Sequence, residues 1–548
     1  MTRQDTAVGI VGAGPVGLAA ALRLATFGVT STVLEAEPEP RRQGSRACCI
    51  QGDVVEILDR IGVGTQIAAE GVHWRVGRTY VGGRELFHTE YRRNGRFPAW
   101  VNLSQYRTQQ LMLDRIGAEP VTSVRWSHRI TGGSQDDDGV TLIAATPDGP
   151  REFRFAYVLA CDGIHSAMRG LFDVPWTGYR HGDRFLIADI RAELPLAHER
   201  HFHYDPPFNP GRQLVMHAQP DHVWRIDWQL AADDDIDDEQ RTGRLDQRIR
   251  AVIGDRPYEV QWLSTYRFNQ RVVTRMRQGR VLLAGDAAHA LPPYGARGMN
   301  SGLQDADNAA WKLHLVLSGR ARPELLDTYD TERLAAAREN LRVTENTIKF
   351  MVPQSRVRRW TRNALLRLAP SVRPLRGRVD SGKMSEPFVY PPSQVIGPAG
   401  IEPLAGRFAP DLTLTAEGRA TRLRALLGRG FVAVYQGCDL RTAAGFGSAV
   451  ARLGTAIPLR LYLVLPDGTT VDGADLAGLD GFGDVKVLLA TGDPPGAGYG
   501  SAPRWCLIRP DSHIAAGGPA DDPPAAAAAL VQALHAASMA TATGHIRR

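Results

Sequence analysis

The chain has 548 residues, of which 43% are hydrophobic, so it is long enough to form more than one globular domain. No apolar run is long enough to span a membrane, and the first residues lack the charged and apolar regions of a signal peptide. The net charge of +6 comes mainly from arginines interspersed with acidic residues, which argues against a nucleic-acid partner. The five cysteines have no framework spacing and no C-x-x-C pair, so we expect a reducing, cytoplasmic location.

The first predicted elements form a dinucleotide-binding pattern. Ala7–Val11 is predicted as a strand, Val16–Phe27 as a helix and Ser31–Leu34 as a second strand that ends at Glu35. Between strand and helix lie Gly12, Gly14 and Gly17, spaced as G-x-G-x-x-G. Such glycines allow a tight turn, close approach of the backbone to a pyrophosphate, and packing of the helix on the strand. Glu35 lies where an acidic residue accepts hydrogen bonds from a ribose hydroxyl.

The next segment is predicted to contain helices and short strands. A helix is expected over 52–61 and another from Ser104 through Ile116, with Gln105 and Arg107 in its first turn. Strands are expected over 79–87 and 99–103, and 121–129, 140–146 and 152–155 alternate like a small antiparallel sheet. Cys48 and Cys49 are neighbours, a spacing that rarely forms a disulfide, so small packed residues are the favoured interpretation.

A second group of strands is predicted beyond Asp162-Gly163, which ends the buried strand Tyr157–Ala160. The strands of this group are expected over 185–192, 200–204, 213–218, 223–230 and 260–268. The acidic run 233–239 lacks calcium-loop spacing and is predicted as a solvated loop before a helix near 245–253. Aromatic and imidazole side chains alternate along these strands, and alternation alone leaves open which of them face a pocket: His201, His203, His217, Trp224, Trp228 and Tyr266.

A strand, an acidic turn, a glycine-rich loop and a helix follow in 280–317. Val281–Ala284 is predicted as a buried strand that ends at Gly285-Asp286, and a helix is expected from Met299. An aspartate at the carboxyl end of a strand suits the hydroxyl groups of a ligand. The unpaired N–H groups where the helix begins suit an anion.

The remaining sequence is predicted to form a long helix to about Phe350, a basic helix over 356–370, a linker to about Gly400 and a carboxyl-terminal βαβ-like domain. Strands are expected over 430–435, 459–465, 484–490 and 505–509, with a final helix over 525–537. Neither Cys438 nor Cys506 has a C-x-x-C partner, which predicts a redox-inert domain.

Three of these motifs together resemble the single-component FAD-dependent aromatic hydroxylases of the para-hydroxybenzoate hydroxylase and phenol hydroxylase type. They are the glycine turn with Glu35, the Asp162-Gly163 motif extending to Arg169, and Gly285-Asp286 with its proline-rich loop. Their order and spacing match over about the first 340 residues, and the carboxyl-terminal part resembles the thioredoxin-like domain of some of these enzymes. The resemblance implies an α/β (α+β) fold with a Rossmann-like FAD-binding domain, an inserted mixed β-sheet substrate domain and that third domain.

The domain boundaries that follow are an FAD-binding domain in two segments, 1–180 and 270–350, and a substrate-binding sheet domain in 181–269. A helical segment and linker would occupy 351–400, and the thioredoxin-like domain 401–548.

The resemblance also assigns roles to particular residues. It implies cofactor contacts at the glycine turn and at five further places, namely Arg46, Gln105, Asp162-Gly163, Asp286 and the Gly298-Met299-Asn300 amides. Candidate catalytic residues are Pro293 and Gly295 in the loop beside the flavin, His289 as a possible general base, and Tyr266 in the sheet. No metal ligands are predicted. The family pattern Gly-Gln-Gly-Met-Asn is replaced here by Ala296-Arg297-Gly298-Met299-Asn300, which leaves the closure of that loop open.

The implied activity is hydroxylation of a phenolic substrate with NAD(P)H and O2 through a flavin C4a-hydroperoxide. The sequence has no second dinucleotide fold, so NAD(P)H is expected to bind transiently in a groove. Alternatives are a related flavoprotein epoxidase or reductase and a non-catalytic FAD-binding sensor. The halogenase motif Trp-x-Trp-x-Ile-Pro is absent from the sequence. The identity of the aromatic substrate, the choice between NADH and NADPH and the oligomeric state are left open, with a homo-oligomer as one alternative.

Overall fold

The computed structural model describes residues 6–40, 47–93, 95–231, 234–292, 295–351, 356–368, 386–397, 404–437, 440–453, 455, 457–469, 485–491 and 504–538. The chain divides into two compact units. The first comprises Met1–Leu22, Ser31–Asp305 and Ala337–Glu386, and the second comprises Arg23–Thr30, Ala306–Ala336 and Pro387–Arg548.

Three helices begin in one unit and end in the other, namely Pro15–Ala25, Arg297–Leu317 and Asp327–Met351. In chain order the helices are α1 (Pro15–Ala25), α2 (Gly52–Arg60), α3 (Gly64–Glu70), α4 (Gln105–Gly117), α5 (Ala167–Leu171), α6 (Ile236–Thr242), α7 (Arg244–Ile253), α8 (Arg297–Leu317), α9 (Asp327–Met351), α10 (Arg356–Leu368), α11 (Leu440–Leu453) and α12 (Pro523–Ser538).

The strands form separate sheets in the two units. Those of the first unit are β1 (Val8–Val11), β2 (Ser31–Leu34), β3 (Cys49–Gln51), β4 (Val72–Trp74), β5 (Val76–Val81), β6 (Arg84–Glu90), β7 (Trp100–Asn102), β8 (Thr122–Arg125), β9 (Arg129–Gln135), β10 (Val140–Thr146), β11 (Gly149–Phe155), β12 (Tyr157–Ala160), β13 (Trp176–Arg191), β14 (Arg200–Tyr204), β15 (Gln213–Ala218), β16 (Val223–Gln229), β17 (Glu259–Val273), β18 (Arg277–Gln278), β19 (Val281–Leu283) and β20 (His289–Ala290). Those of the second are β21 (Thr413–Ala416), β22 (Arg419–Arg422), β23 (Phe431–Gln436), β24 (Leu459–Pro466), β25 (Val485–Ala490), β26 (Arg504–Ile508) and β27 (Ile514–Pro519).

A six-stranded sheet with the order β18-β19-β12-β1-β2-β8 confirms the expected Rossmann-like α/β fold. Strand β1 runs parallel to both β2 and β12, and β12 runs parallel to β19. The residues of β1, β2, β12 and β19 are fully buried, as expected for parallel strands covered on both faces. Because the carboxyl ends of parallel strands meet at one edge, the three motifs that follow β1, β12 and β19 are brought to the same place.

The prediction of one strand over 121–129 was wrong. Thr122–Arg125 is β8 at the edge of the parallel sheet, where it pairs with β2. A turn with Ser127 at a positive φ of 57° separates it from β9, which forms a three-stranded antiparallel sheet with β10 and β11. A turn residue with a side chain at positive φ leaves little signal in the sequence, because glycine is the residue that usually marks such a turn.

An eight-stranded sheet has the order β20-β17-β13-β16-β15-β14-β5-β6. Its strands β5 and β6 form a hairpin around Gly82 and Gly83, both at positive φ, so the single strand predicted over 79–87 was wrong. Strand β13 also begins earlier than predicted, at Trp176. The second half of the acidic run predicted as a loop is helix α6, whose N-cap Asp235 accepts a hydrogen bond from Asp238 N.

In the second unit, seven strands form a mixed sheet with the order β22-β21-β25-β24-β23-β26-β27. Strands β23, β24 and β25 are parallel, and β26 and β27 add to the edge in antiparallel fashion. The sequence missed β21, β22 and β27. Cys506 is buried in the core of this sheet, whereas Cys438 lies outside the described residues. The thioredoxin-like assignment and the domain boundaries stay predictions. Among the described residues, no helix is both long and apolar enough to cross a membrane.

Candidate functional site

The glycine turn after β1 gives each of its glycines a different task. A Cβ on Gly12, whose φ is +101°, would lie 2.6 Å from the carbonyl oxygen of Cys161, and Gly12 N donates to Leu34 O at 2.8 Å. A Cβ on Gly17 would lie 2.0 Å from the carbonyl oxygen of Gly12, so that position allows only glycine. A Cβ on Gly14 would meet no atom within 4 Å. Gly14 therefore leaves backbone open to a ligand at the start of α1, where helix N–H groups favour a phosphate.

The carboxylate of Glu35 is fixed beside this turn. Its Oε2 accepts a hydrogen bond from Ala13 N at 2.6 Å, and its Oε1 accepts one from Glu37 N at 2.9 Å. Helix α4 also contacts the turn, because Gln109 Nε2 donates to Ala13 O at 3.3 Å and Gln105 Nε2 donates to Gln109 at 3.4 Å. Gln105 therefore lies one side chain away from the turn.

The turn after β19 exposes one aspartate and is held by another. Asp286 is exposed at the carboxyl edge of the sheet. Gly285 N donates to Asp305 Oδ2 at 2.9 Å, and His289 Nε2 lies 2.6 Å from the same oxygen and donates to it. His289 and Asp305 are both fully buried. This geometry indicates that His289 positions the turn that carries Asp286. The interpretation of His289 as a general base stays a prediction, and these contacts do not support it.

The Asp162-Gly163 motif is joined to the same turn. Asp162 Oδ2 accepts a hydrogen bond from Met168 N at 3.0 Å, and Arg169 donates to the carbonyl oxygen of Ala287 at 2.9 Å. Burial raises the pKa of Asp162, and its Oδ1 is buried without a hydrogen-bond partner in the described structure. Gly163 has a φ of +75° and open space at the position of a Cβ. The motif thus presents an unsatisfied oxygen and open backbone next to the glycine turn.

The start of α8 is fastened to strand β3 through Asn300. Gln51 N donates to Asn300 Oδ1 at 3.0 Å, and Asn300 Nδ2 donates to Cys49 O at 2.9 Å and to Ala296 O at 2.6 Å. The Asn300 side chain is 1% exposed, so it is used in holding the loop. Gly298 has no atom within 4 Å of its Cβ position, which leaves the backbone amides of this turn as the groups available to a ligand.

Arg297, the residue that departs from the family pattern, is turned toward α9. Its guanidinium donates to Asn340 Oδ1, and Asn340 Nδ2 donates to Ser301 Oγ at 3.5 Å. Burial lowers the pKa of Arg297, although Glu339 opposes that shift. The additional cation therefore ties the flavin-loop helix to α9 within the first unit.

The two faces of the eight-stranded sheet have different surroundings. The back face packs on α6 and α7 through a core that includes Trp224 and Trp228. The cross-strand pairs His201–Met216 and His203–Leu214 put both histidines on that back face. His217 pairs with Arg225, and Tyr266 pairs with Phe185, on the opposite face. Of the six candidate pocket residues, only His217 and Tyr266 therefore belong to this front face.

The front face carries charged residues that the sequence analysis missed. Arg225 Nε and Nη2 donate to the two oxygens of Asp189, each at 2.8 Å. Cys49 Sγ lies 3.5 Å from His217 Nδ1, and burial lowers the pKa of His217 to about 3, so that imidazole is neutral. Burial raises the pKa of Asp227 to about 7, although Arg225 opposes this shift. The alternation of Arg225 and Asp227 with buried tryptophans in β16 was the sequence signal that could have identified them.

Comparison with known proteins decides the family. A family model described as an FAD binding domain matches residues 5–344. The chain is 33% identical over 508 residues to the 12-dehydrotetracycline 5-monooxygenase/anhydrotetracycline 6-monooxygenase of Streptomyces rimosus, covering 87% of this chain and 97% of that one. It is 32% identical over 390 residues to a 3-(3-hydroxy-phenyl)propionate/3-hydroxycinnamic acid hydroxylase of Comamonas testosteroni, covering 68% and 64%. The structure of an anhydrotetracycline hydroxylase from Streptomyces rimosus matches with a TM-score of 0.72 at 29% identity, covering 97% and 98%.

The chain belongs to the FAD-dependent aromatic hydroxylases. As a member of this family it is a flavoprotein monooxygenase. Its residues fit the FAD, because open backbone at Gly14, the fixed carboxylate of Glu35 and the exposed Asp286 meet at the carboxyl edge of one parallel sheet. The unsatisfied Asp162 Oδ1 lies beside them.

Not every predicted contact of this hydroxylase can be placed. Arg46 and Pro293 lie outside the described residues, so their assigned roles stay predictions. Gly295 is described and has a φ of +84°, followed by Ala296 at +52°. Arg107, in the first turn of α4 with Gln105, is paired with Glu70 through bonds of 2.7 and 2.8 Å.

Replacing Glu35 with alanine tests the proposed ribose contact. We expect FAD to bind more weakly by about 1.5–3 kcal/mol, because a charge-assisted hydrogen bond is lost. Titration of the apoprotein with FAD, followed by flavin fluorescence, measures this change. Glu39→Ala, an exposed carboxylate on the same loop, is the matched control. Equal affinities of the two variants would contradict the assignment.

Proposed function

We propose that this FAD-dependent monooxygenase uses NAD(P)H and O2 to hydroxylate a phenolic ring. The proposal rests mainly on the hydrogen bond that Arg169 donates to the carbonyl oxygen of Ala287. This bond connects the Asp162-Gly163 motif to the turn that carries Asp286. A protein that only stored FAD would have no evident need for the Asp162-Gly163 motif, which the family uses toward the nicotinamide cofactor. The front face of the large sheet then supplies a polar wall for an aromatic substrate.

Each part of the chain has a defined task in this proposal. Gly12, Gly14, Gly17, Glu35 and Asp286 would hold FAD, whose bound flavin supplies the activation of O2 and the transfer of one oxygen atom. The Gly298–Asn300 turn would face the flavin with backbone amides, which favour negative charge. The sheet would position the substrate ring and exclude water, so that reducing equivalents are not lost as hydrogen peroxide.

A phenol is proposed because its ring hydroxyl makes the ring electron-rich. Loss of the hydroxyl proton increases electron density at the ortho and para carbons, where a weakly electrophilic oxygen donor reacts. We propose ortho-hydroxylation. The substrates after which the similar proteins are named, a hydroxyphenylpropionate and an anhydrotetracycline, support a phenolic class and differ greatly in size.

A panel of three phenols tests the proposal: anhydrotetracycline, 3-(3-hydroxyphenyl)propionate and 4-nitrophenol. We expect at least one of them to accelerate NADH or NADPH oxidation severalfold and to gain one oxygen atom from 18O2, measured by product mass. The same compound should accelerate anaerobic reduction of the FAD in stopped flow, because substrate-dependent conformational steps commonly gate such reactions. Absence of labelled product with every phenol would overturn the hydroxylase proposal, and equal reduction rates would overturn the gating. An oxygen atom added across an alkene, or reduction of the substrate, would instead identify an epoxidase or reductase.

A further inference from the structure

Asp227 lies in the middle of β16, on the front face of the large sheet. Its neighbours along the strand, Ile226 and Trp228, are fully buried in the back-face core. Side chains alternate along a strand, so Asp227 and Arg225 point to the other side. The back face is filled by α6 and α7, and the carboxylate of Asp227 is consequently on the side of the sheet that carries His217 and Tyr266.

The surroundings of Asp227 leave its carboxylate incompletely bonded. Its cross-strand neighbours are Ile187 and Val215, which are aliphatic and offer no side-chain hydrogen bond. Arg225, two residues earlier, places two donors on Asp189. Asp227 Oδ1 is buried and has no hydrogen-bond partner in the described part of the chain. A buried oxygen without a partner in a native fold requires an explanation, and a bound ligand or a catalytic task is one such explanation.

Asp227 is also close to the segment that borders the flavin loop. Cys49 Sγ lies 3.5 Å from His217 Nδ1, on the face that also carries Asp227, so the segment of Cys48 and Cys49 packs against this face. The carbonyl oxygen of Cys49 accepts the hydrogen bond from Asn300 that fastens the start of α8. The Asp227 carboxylate therefore lies on the face of the sheet that is directed toward Cys48 and Cys49. These two residues border the proposed flavin site.

We propose that Asp227 is the general base that accepts the ring-hydroxyl proton of the bound phenolic substrate. This inference rests on the proposed function. In the step, the O–H bond of the substrate breaks, its proton bonds to Asp227 Oδ1, and the electron pair stays on the ring oxygen as phenolate. No electron is exchanged in this step. The Arg225–Asp189 ion pair joins β16 to β13 beside the carboxylate.

The electrostatics of this face agree with that role. Burial raises the pKa of Asp227 to about 7, with Arg225 lowering it and Asp189 raising it. A base must be ionised to accept a proton, so Asp227 would be competent above about pH 7 and inactive below it. On this side of the sheet lie also His217, neutral because its pKa is about 3, the phenol of Tyr266, and the guanidinium of Arg200, which pairs with His217 across the strands. The thiols of Cys48 and Cys49 face it as well, and the hydrogen bond with Cys49 lowers the pKa of Cys48. Cys49 titrates far above this range, because the hydrogen bond with Cys48 and burial raise its pKa.

Three variants test the inference with the full-length holoenzyme. Asp227→Asn keeps the shape and removes the base, Asp227→Glu restores a carboxylate, and Asp221→Asn makes the same chemical change on the exposed turn before β16. For the phenol of the panel that wild type hydroxylates best, we expect Asp227→Asn to lower kcat at pH 8 about a hundredfold. Its rate should also lose the rise through pH 7 seen in wild type. Asp227→Glu should recover part of the rate and the rise, and Asp221→Asn should match wild type. FAD content and thermal unfolding check that each variant is folded.

A phenol that is already ionised supplies a second readout. The defect of Asp227→Asn should shrink as the substrate becomes more acidic, because an ionised substrate needs no base. We expect the ratio of wild-type to variant rates to be smallest for 4-nitrophenol at pH 8 if the enzyme accepts it. Otherwise the same ratio, followed from pH 7 to pH 10 with the accepted phenol, should fall as that phenol ionises.

The outcomes separate this inference from the proposed function. Wild type that hydroxylates no phenol in the panel would overturn the proposed function and the inference with it. Active wild type with an unchanged rate and pH profile in folded Asp227→Asn would overturn the inference alone. A rate loss that is independent of pH and of substrate acidity, and is not recovered by Asp227→Glu, would also overturn it, because a purely structural role predicts that pattern.

Discussion

Gly17→Ala is expected to remove FAD binding and to destabilise the apoprotein. The added Cβ would lie 2.0 Å from the carbonyl oxygen of Gly12, which is a backbone atom and cannot swing aside. Relief requires α1 to move away from β1, which breaks the contact on which the turn depends. We expect about 3 kcal/mol of lost stability, at the upper end of the effects of overpacking, and at least about a hundredfold weaker FAD binding. Thermal unfolding of the apoprotein and titration with FAD measure the two effects.

Gly14→Ala is the matched comparison for Gly17→Ala. No atom lies within 4 Å of a Cβ at Gly14, and its φ is not positive, so the apoprotein should keep its stability to within about 0.5 kcal/mol. The new methyl group would nevertheless occupy the space through which the dinucleotide approaches the backbone. FAD affinity should therefore fall without a loss of stability. Full FAD affinity in Gly14→Ala would show that the cofactor does not approach the turn at this residue, and normal stability in Gly17→Ala would contradict the packing argument.

Glu332→Gln is expected to destabilise the second unit by about 3–5 kcal/mol, because it leaves buried cations without a partner. Glu332 accepts two hydrogen bonds from Arg509, at 2.7 and 2.9 Å, and one from Lys312 at 2.9 Å. All three side chains are fully buried. Asp511, which also pairs with Arg509, would be the remaining carboxylate for two positive charges. Urea unfolding of wild type and variant measures the difference.

The acid dependence of stability supplies a second test. Burial would raise the pKa of Glu332, but Arg509 and Lys312 hold it at about 2, below the ordinary value of 4.5. A carboxyl whose pKa is lowered in the folded state contributes stability above its unfolded pKa and loses it as the pH falls. Wild type should therefore lose stability between about pH 4.5 and pH 2, and Glu332→Gln should lose less over the same interval.

Lys312→Met is the control for the loss of Glu332. Burial lowers the pKa of Lys312 to about 8 despite the nearby Glu332, which shows that its charge is poorly accommodated. Removing it leaves Glu332 paired with Arg509, so the expected change is within about 1 kcal/mol. If both variants lost the same stability, the effect would come from packing and the electrostatic argument would fail.

The sequence by itself determined the parts of the site that depend on neighbouring residues. The glycine turn, its strand and helix, and Glu35 were predicted correctly as structure because tight turns have strict local requirements that only certain residues meet. The same holds for the short buried strand before Gly285-Asp286. Parallel strands then bring such motifs to one edge, so the edge at which the cofactor is predicted to bind followed from the order of the elements.

Only the tertiary structure decided which side chains face that site. Alternation along β16 defines two faces but not their surroundings, and the packing of α6 and α7 selects Trp228 for the core and Asp227 for the wall. Glu332 and Arg509 are separated by 177 positions in the sequence, so no local pattern could pair them. The burial of His289 against Asp305 likewise depends on the course of α8, and its role as a general base stays a prediction. These choices depend on long-range burial and charge, because the free energy of an ionised group is set by what surrounds it in space.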